Sequence, residues 1–175
     1  GRPQSPLTLD GVRLAIRHTL FVKPNQPKLV CQYAFVSAIG IPIDDDEIAL
    51  SVMTAMLVRE GYSVKQFTEA ETAYQYLKES ESPNIVVVDW MLEHMSGINF
   101  CELVRNTDIL FQPYLIVVTS RTQQDDEAVA LRHGADDFIT KPVNAAIFQA
   151  RVRVGERIIS YQKQLLIYSY SFQRI

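Results

Sequence analysis

Asn84-Ile85-Val86-Val87-Val88-Asp89-Trp90-Met91-Leu92 is the stretch that decides the architecture. Ile85 to Val88 form a strand that is apolar on both faces, because successive side chains point to opposite sides of a sheet. Such a strand needs helices above and below it, and this one ends in a carboxylate. Leu115-Ile116-Val117-Val118 repeats the pattern and ends in the hydroxyl of Thr119. Outward from these two runs, short apolar segments alternate with segments of helical period, the mark of βα units building a parallel sheet. Strands are expected at 39–43, 63–67, 84–88, 114–119 and 137–140. Helices are expected at 47–60, stopped by Gly61; behind a capping box of Thr68 and Glu71; at Ser96–Arg105; and at Gln123–His133, stopped by Gly134. A last helix starts behind Asn144 and runs past residue 160, with only Gly155 to weaken it. The class is therefore α/β, a doubly wound five-stranded parallel sheet with an extended C-terminal helix. Pro42 lacks the donor a buried inner strand needs, so the first strand is expected to be short, bulged or unusually paired.

Three segments follow: an N-terminal extension over 1–36, the main domain over 37–160 and a C-terminal helical extension over 161–175. Pro3, Pro6, Pro24 and Pro27 interrupt the first, leaving Leu9–Val22 as its one candidate helix. That segment is basic: to residue 33, Arg2, Arg13, Arg17, Lys23 and Lys28 face Asp10 alone, within a chain of net charge −3. The overall balance argues against a general nucleic-acid binder, which needs a basic face to displace counterions. A hydrophobic content of 47% supports a continuous core and excludes disorder as the main state. Cys31 and Cys101 form neither a metal-spaced pair nor a disulfide framework, which points to a reduced, cytoplasmic setting. No apolar run reaches the ~18 residues of a membrane span, so no membrane association is expected. Val154, Ile158, Tyr161, Leu165 and Tyr168 recur at coiled-coil spacing. They make either a dimer or linker seam, or a helix that packs on the sheet and then frays.

In an open α/β sheet, ligands gather at the carboxyl ends of the strands, where the strand order reverses. The expected strands deliver there Asp44-Asp45-Asp46, Asp89, Thr119 and Lys141-Pro142. Carboxylates crowded together repel unless a cation neutralises them. Oxygen ligands without nearby His or Cys favour Mg²⁺. Such a pocket beside a lysine suits a phosphoryl group, with Thr119 offering a hydroxyl to a phosphoryl oxygen and one carboxylate as nucleophile. Asp46 and Glu47 read as caps of the first helix. His94 and His133, unpaired with Cys, read as surface residues.

Ile43-Asp44-Asp45-Asp46, Val88-Asp89-Trp90-Met91-Leu92, Val118-Thr119-Ser120 and Phe138-Ile139-Thr140-Lys141-Pro142-Val143 together resemble the signatures of the response-regulator receiver family of two-component signalling. The separations fit as well: 44 residues from Asp45 to Asp89, 30 from there to Thr119 and 22 from there to Lys141. The resemblance covers roughly residues 37–160 and implies a flavodoxin-like (βα)5 fold. It implies Asp89 as phosphoacceptor, Lys141 as the residue that pairs with the phosphoryl group, and a cis peptide bond between Lys141 and Pro142. It further implies Mg²⁺ held by Asp45 and Asp89 directly, by Asp44 through water and by the Met91 carbonyl, and an output switch made of Thr119 and Phe138. The donor would be a histidine kinase or histidine phosphotransfer protein. Homodimerisation would use the fourth helix, fifth strand and fifth helix, or the C-terminal helix, with no direct nucleic-acid contact. Self-phosphorylation and self-dephosphorylation are implied rather than turnover of a separate substrate. Glu93 stands where Pro is common, Ser120 where Ala or Gly is frequent, and Gly97 keeps its usual place.

Two other readings compete. A haloacid-dehalogenase-type enzyme also forms an aspartyl phosphate, and Asp44 and Asp46 imitate its opening DxD, but its nucleophile lies on the first strand. A receiver fold that is never phosphorylated would work only by docking.

Overall fold

The computed structural model describes residues 37–120 and 126–172. Five parallel strands, β1 (Ile39–Ile43), β2 (Ser63–Val64), β3 (Asn84–Asp89), β4 (Tyr114–Thr119) and β5 (Asp137–Thr140), lie in the order β2-β1-β3-β4-β5. Between and after them run α1 (Glu47–Arg59), α2 (Ala70–Glu79), α3 (Gly97–Arg105), α4 (Asp126–Arg132) and α5 (Ala145–Phe172). The order reverses between β1 and β3, which puts the carboxyl ends of these two strands on either side of a crevice. The doubly wound α/β architecture is thus as the sequence implies. The expected helix 9–22, Cys31 and the start of the helix expected at Gln123 lie outside the described residues.

β3 and β4 are buried along their whole length. Ile85, Val87, Ile116 and Val118 pack with Met53, Leu57, Phe148, Val152 and Ile159 from α1 and α5. Val86, Val88, Leu115 and Val117 pack with Ala73, Leu77, Phe100, Val104 and Ala130 from α2, α3 and α4. Each such aliphatic side chain contributes about 1.5–3 kcal/mol by leaving water. The two central strands are therefore the fixed frame on which the site is mounted.

Pro42 has its effect on β2 rather than on β1. β1 pairs with β3 over all five residues, Pro42 in register with Val87. On its other side, Lys65 N donates to Gly40 O at 3.0 Å and Phe67 N to Pro42 O at 3.1 Å. The missing Pro42 N–H falls between these bonds, facing β2. The strand expected over 63–67 accordingly contracts to Ser63–Val64, with an isolated bridge between Ile43 and Phe67. Lys65 covers this interrupted edge, its ammonium 4.0 Å from the Tyr76 ring centre.

The capping box is a second correction. α2 begins at Ala70 behind Glu69, whose side chain makes no capping bond, so Thr68 lies one residue too early to cap. Thr72 Oγ1 instead donates to Glu69 O at 2.9 Å. Other boundaries agree. Asp46 caps α1 through Ile48 N and Ala49 N, Asn144 caps α5 through Ala146 N and Ile147 N, and Gly61 and Gly134 end α1 and α4 at positive φ. Gly155 is required rather than a weakness, since a Cβ there would press on the Tyr114 ring at 2.5 Å. α5 crosses the sheet at that point.

Candidate functional site

Asp44 directly follows β1, β3 ends in Asp89 and β4 in Thr119, and Lys141 follows β5. The three strand-end side chains are buried and Lys141 is partly exposed. Lys141 Nζ lies 2.7 Å from Asp89 Oδ1 and 3.0 Å from Asp44 Oδ2, so one ammonium bridges two carboxylates brought from opposite sides of the crevice. The remaining oxygens are held by backbone. Met91 N donates to Asp89 Oδ2 at 2.8 Å, and Asp46 N donates to Asp44 Oδ1 at 2.9 Å. Lys141 N donates to Thr119 O at 2.7 Å, fixing the lysine beside the end of β4, and the Lys141–Pro142 bond is cis.

Burial is the main cause that raises the Asp89 carboxyl above the usual carboxylate range, and the neighbouring Asp44 charge adds to it. The bond and charge of Lys141 and the Met91 amide pull the other way. For Lys141 burial works to lower the ammonium, but its bonds to Asp89 and Asp44 prevail and hold it above its ordinary value. Two buried carboxylates thus share one positive charge, which leaves a site that gains from further cationic charge.

Asp45 is exposed and lines a cleft of about 200 Å³ beside this triangle, with Glu69, Glu71, Leu92, Glu93 and His94. Among the described residues no three His, Cys, Asp or Glu side chains gather closely enough to form a metal cluster. That arrangement still suits Mg²⁺, which keeps several waters and needs only one or two carboxylates. The donor set is all oxygen. The resemblance implies Asp45 as a direct ligand and Asp44 as one acting through water. The structure instead sets Asp44 beside Asp89 on Lys141 and leaves Asp45 exposed on the cleft. Asp44 and Asp89 are therefore the residues that would hold an ion at the triangle, with Asp45 and the Met91 carbonyl as further oxygen donors near the strand ends.

Two features have no local signature in the sequence. Trp90 meets Phe138 edge to face, ring centres 6.5 Å apart and planes at 88°. At the opposite end of the sheet, Arg105 of α3 pairs with Asp136, while its Nε donates to Gly134 O at 2.7 Å and its Nη1 to Pro113 O at 2.8 Å. Only the fold brings these groups together. His133 pairs with Glu102 at 3.2 Å on the surface, away from the triangle, and His94 is exposed.

The family model of the response regulator receiver domain matches residues 41–153. The transcriptional regulatory protein AfsQ1 of Streptomyces coelicolor is 34% identical over 119 residues, an alignment covering 66% of this chain and 51% of that protein. The chain thus spans about half the length of this relative. In the co-crystal structure of the Saccharomyces cerevisiae phosphotransfer protein Ypd1 with the receiver domain of Ssk1, the matched chain has a TM-score of 0.63 at 20% identity, covering 71% of this chain and 92% of that one. The receiver domain of a Pseudomonas aeruginosa sensor histidine kinase, described with magnesium coordinated in its active-site cleft, has a TM-score of 0.60 at 21% identity, covering 69% and 97%. The sheet order, the strand-end triangle and a family match over most of the described residues lead to one conclusion: the chain belongs to the response-regulator receiver family of two-component signalling.

Proposed function

We propose that this receiver accepts a phosphoryl group on Asp89 from a histidine kinase or histidine phosphotransfer protein, in a Mg²⁺-dependent reaction, and thereby switches an output surface. The observation that carries the reading is the Lys141 ammonium bridging Asp89 and Asp44. In the transfer an Asp89 oxygen forms a bond to phosphorus as the donor's nitrogen–phosphorus bond breaks, and attack by water later releases inorganic phosphate. Mg²⁺ bound by the Asp44–Asp89 edge would supply positive charge to the phosphoryl oxygens. Lys141 neutralises the remaining charge, the Met91 amide orients the acceptor carboxylate and the Thr119 hydroxyl serves a phosphoryl oxygen. Asp44, buried and bonded to Lys141, positions that lysine.

The donor surface follows from what surrounds the triangle. Ile48 and Val52 on α1, Met91 after β3 and Ile147 in the first turn of α5 are exposed apolar side chains on the segments that follow β1, β3 and β5. This apolar rim suits a helical partner presenting a phosphohistidine among apolar neighbours. A receiver bound to a phosphotransfer protein is the case described for Ssk1 and Ypd1. Output would pass through Thr119 and Phe138 to the α4–β5–α5 face, which together with the α5 stripe is the proposed homodimer surface. No described helix is long and apolar enough to cross a membrane.

Incubation with radiolabelled acetyl phosphate and Mg²⁺ tests the reading. One hydroxylamine-labile label per chain, lost in Asp89→Asn and on chelation of the metal, is expected. Label on Asp44, or turnover of phosphomonoesters, would overturn it. No label and no response to beryllofluoride would favour a module that works by docking alone.

A further inference from the structure

We propose that Trp90 is the positioning residue of the switch, its indole forming the wall against which the Phe138 ring rests; this builds on the reading of Asp89 as phosphoacceptor. Trp90 follows Asp89 and is nearly buried. Its backbone is held on both sides: Trp90 N donates to Val118 O at 2.8 Å, and Gly97 N donates to Trp90 O at 2.9 Å. The backbone that carries the ring is therefore held directly beside Asp89. Val88, Val117 and Phe138 lie side by side across β3, β4 and β5. Trp90 and Phe138 both pack with the core on the α2–α4 face, so their rings meet across β4 near the end where Thr119 sits.

The contact is edge to face, a geometry with directional preference rather than loose filling. Phe138 is half-buried, and its ring meets the Trp90 ring nearly at a right angle. Inward travel of the Phe138 ring is limited by Trp90. A change at Asp89 displaces the loop that carries the indole, and the abutting ring must then re-pack. This gives β5 a route to the site that does not pass through the Thr119 hydroxyl.

Fluorine NMR of the full chain with para-fluorophenylalanine at position 138 tests this, with and without beryllofluoride and Mg²⁺. In Trp90→Leu the resting signal should move by more than a linewidth toward the beryllofluoride position of the parent, and the remaining response should shrink by at least half. Trp90→Phe, with a smaller ring, should show a smaller displacement in the same direction, and it decides the matter if the Leu variant does not fold. A resting signal at the parent position in both variants, with the full response kept, would overturn the proposal. Acetyl phosphate labelling of the same samples separates the two readings. An unlabelled parent removes Asp89 as phosphoacceptor, while the resting signals still report whether Trp90 positions Phe138.

Discussion

Gly97 has no room for a side chain. A Cβ there would collide with the Asp89 carbonyl oxygen and come within 3.1 Å of Trp90 Cα, both backbone atoms of the loop that carries the proposed phosphoacceptor. Gly97→Ala should therefore cost about 1–3 kcal/mol, the usual penalty of overpacking, read as a lower urea midpoint, and slow labelling of Asp89 in the same variant. Lys141 acts by charge instead. Its removal leaves Asp44 and Asp89 as two buried carboxylates without their shared cation, so the Asp89 pKa should rise further. Only the ionised carboxylate is a nucleophile. In Lys141→Ala the acid limb of the labelling rate should thus move to higher pH, and the maximum should fall by about 100-fold or more, as when a transition-state donor is lost. An unmoved acid limb would show that Lys141 does not set the Asp89 titration. Cys101 is the opposite case, a side chain that burial makes inert. With its thiol pushed up to about 12, Cys101 should resist an aromatic disulfide reagent at neutral pH in a Cys31→Ser background until the chain is unfolded.

Among the elements, β1 and β2 show what a single missing donor does. An N–H at position 42 would face the Lys65 carbonyl, between the two bonds that Gly40 O and Pro42 O already accept. Pro42→Val should complete the ladder, lengthen β2 and add about 0.5–1.5 kcal/mol, seen as a higher urea midpoint and slower amide exchange at residues 63–67. The sequence raised this problem but could not say which strand would give way, because that depends on which neighbour the missing donor faces. The start of α2 differs by one residue from its capping-box pattern for a related reason. Thr68 and Glu71 have capping-box spacing, but the chain enters the helix at Glu69, a choice made with Ala70 buried against the core. Arg105 and Asp136 lie 31 residues apart, and no local pattern joins them. Their pair, with Leu115 N donating to Asp136 Oδ2 at 2.8 Å, ties α3 to the starts of β4 and β5. Arg105→Ala should cost about 3 kcal/mol by stranding a largely buried carboxylate, whereas a surface position such as Arg132 should change the melting temperature little.

At the scale of the whole molecule, the strand ends were legible because the chemistry sits where the topology must put it. A parallel sheet of order β2-β1-β3-β4-β5 brings the ends of β1 and β3 together, and the spacing of Asp45, Asp89, Thr119 and Lys141 followed the strands, although it is Asp44 rather than Asp45 that meets Lys141 beside Asp89. The acidic cleft at Asp45 and the ring contact of Trp90 were not legible, since both depend on how loops close over the sheet. α5 poses the same question along one helix. Its 28 residues span about 42 Å, more than its contact with the sheet uses. Phe148, Val152 and Ile159 face the sheet, while Tyr161, Leu165 and Tyr168 are more than half exposed. The two faces should respond differently. Ile159→Ala removes a side chain that is 2% exposed and should cost about 2–5 kcal/mol. Tyr161→Gln with Leu165→Gln should change the stability of the monomer by no more than about 0.5 kcal/mol each, as surface substitutions do. If the stripe is a seam between two copies, sedimentation equilibrium should show the parent associating more strongly than the double Gln variant. Equal association in both would leave the α4–β5–α5 face as the proposed contact, and Tyr161, Leu165 and Tyr168 as a solvated stripe of a helix whose Leu166 is buried.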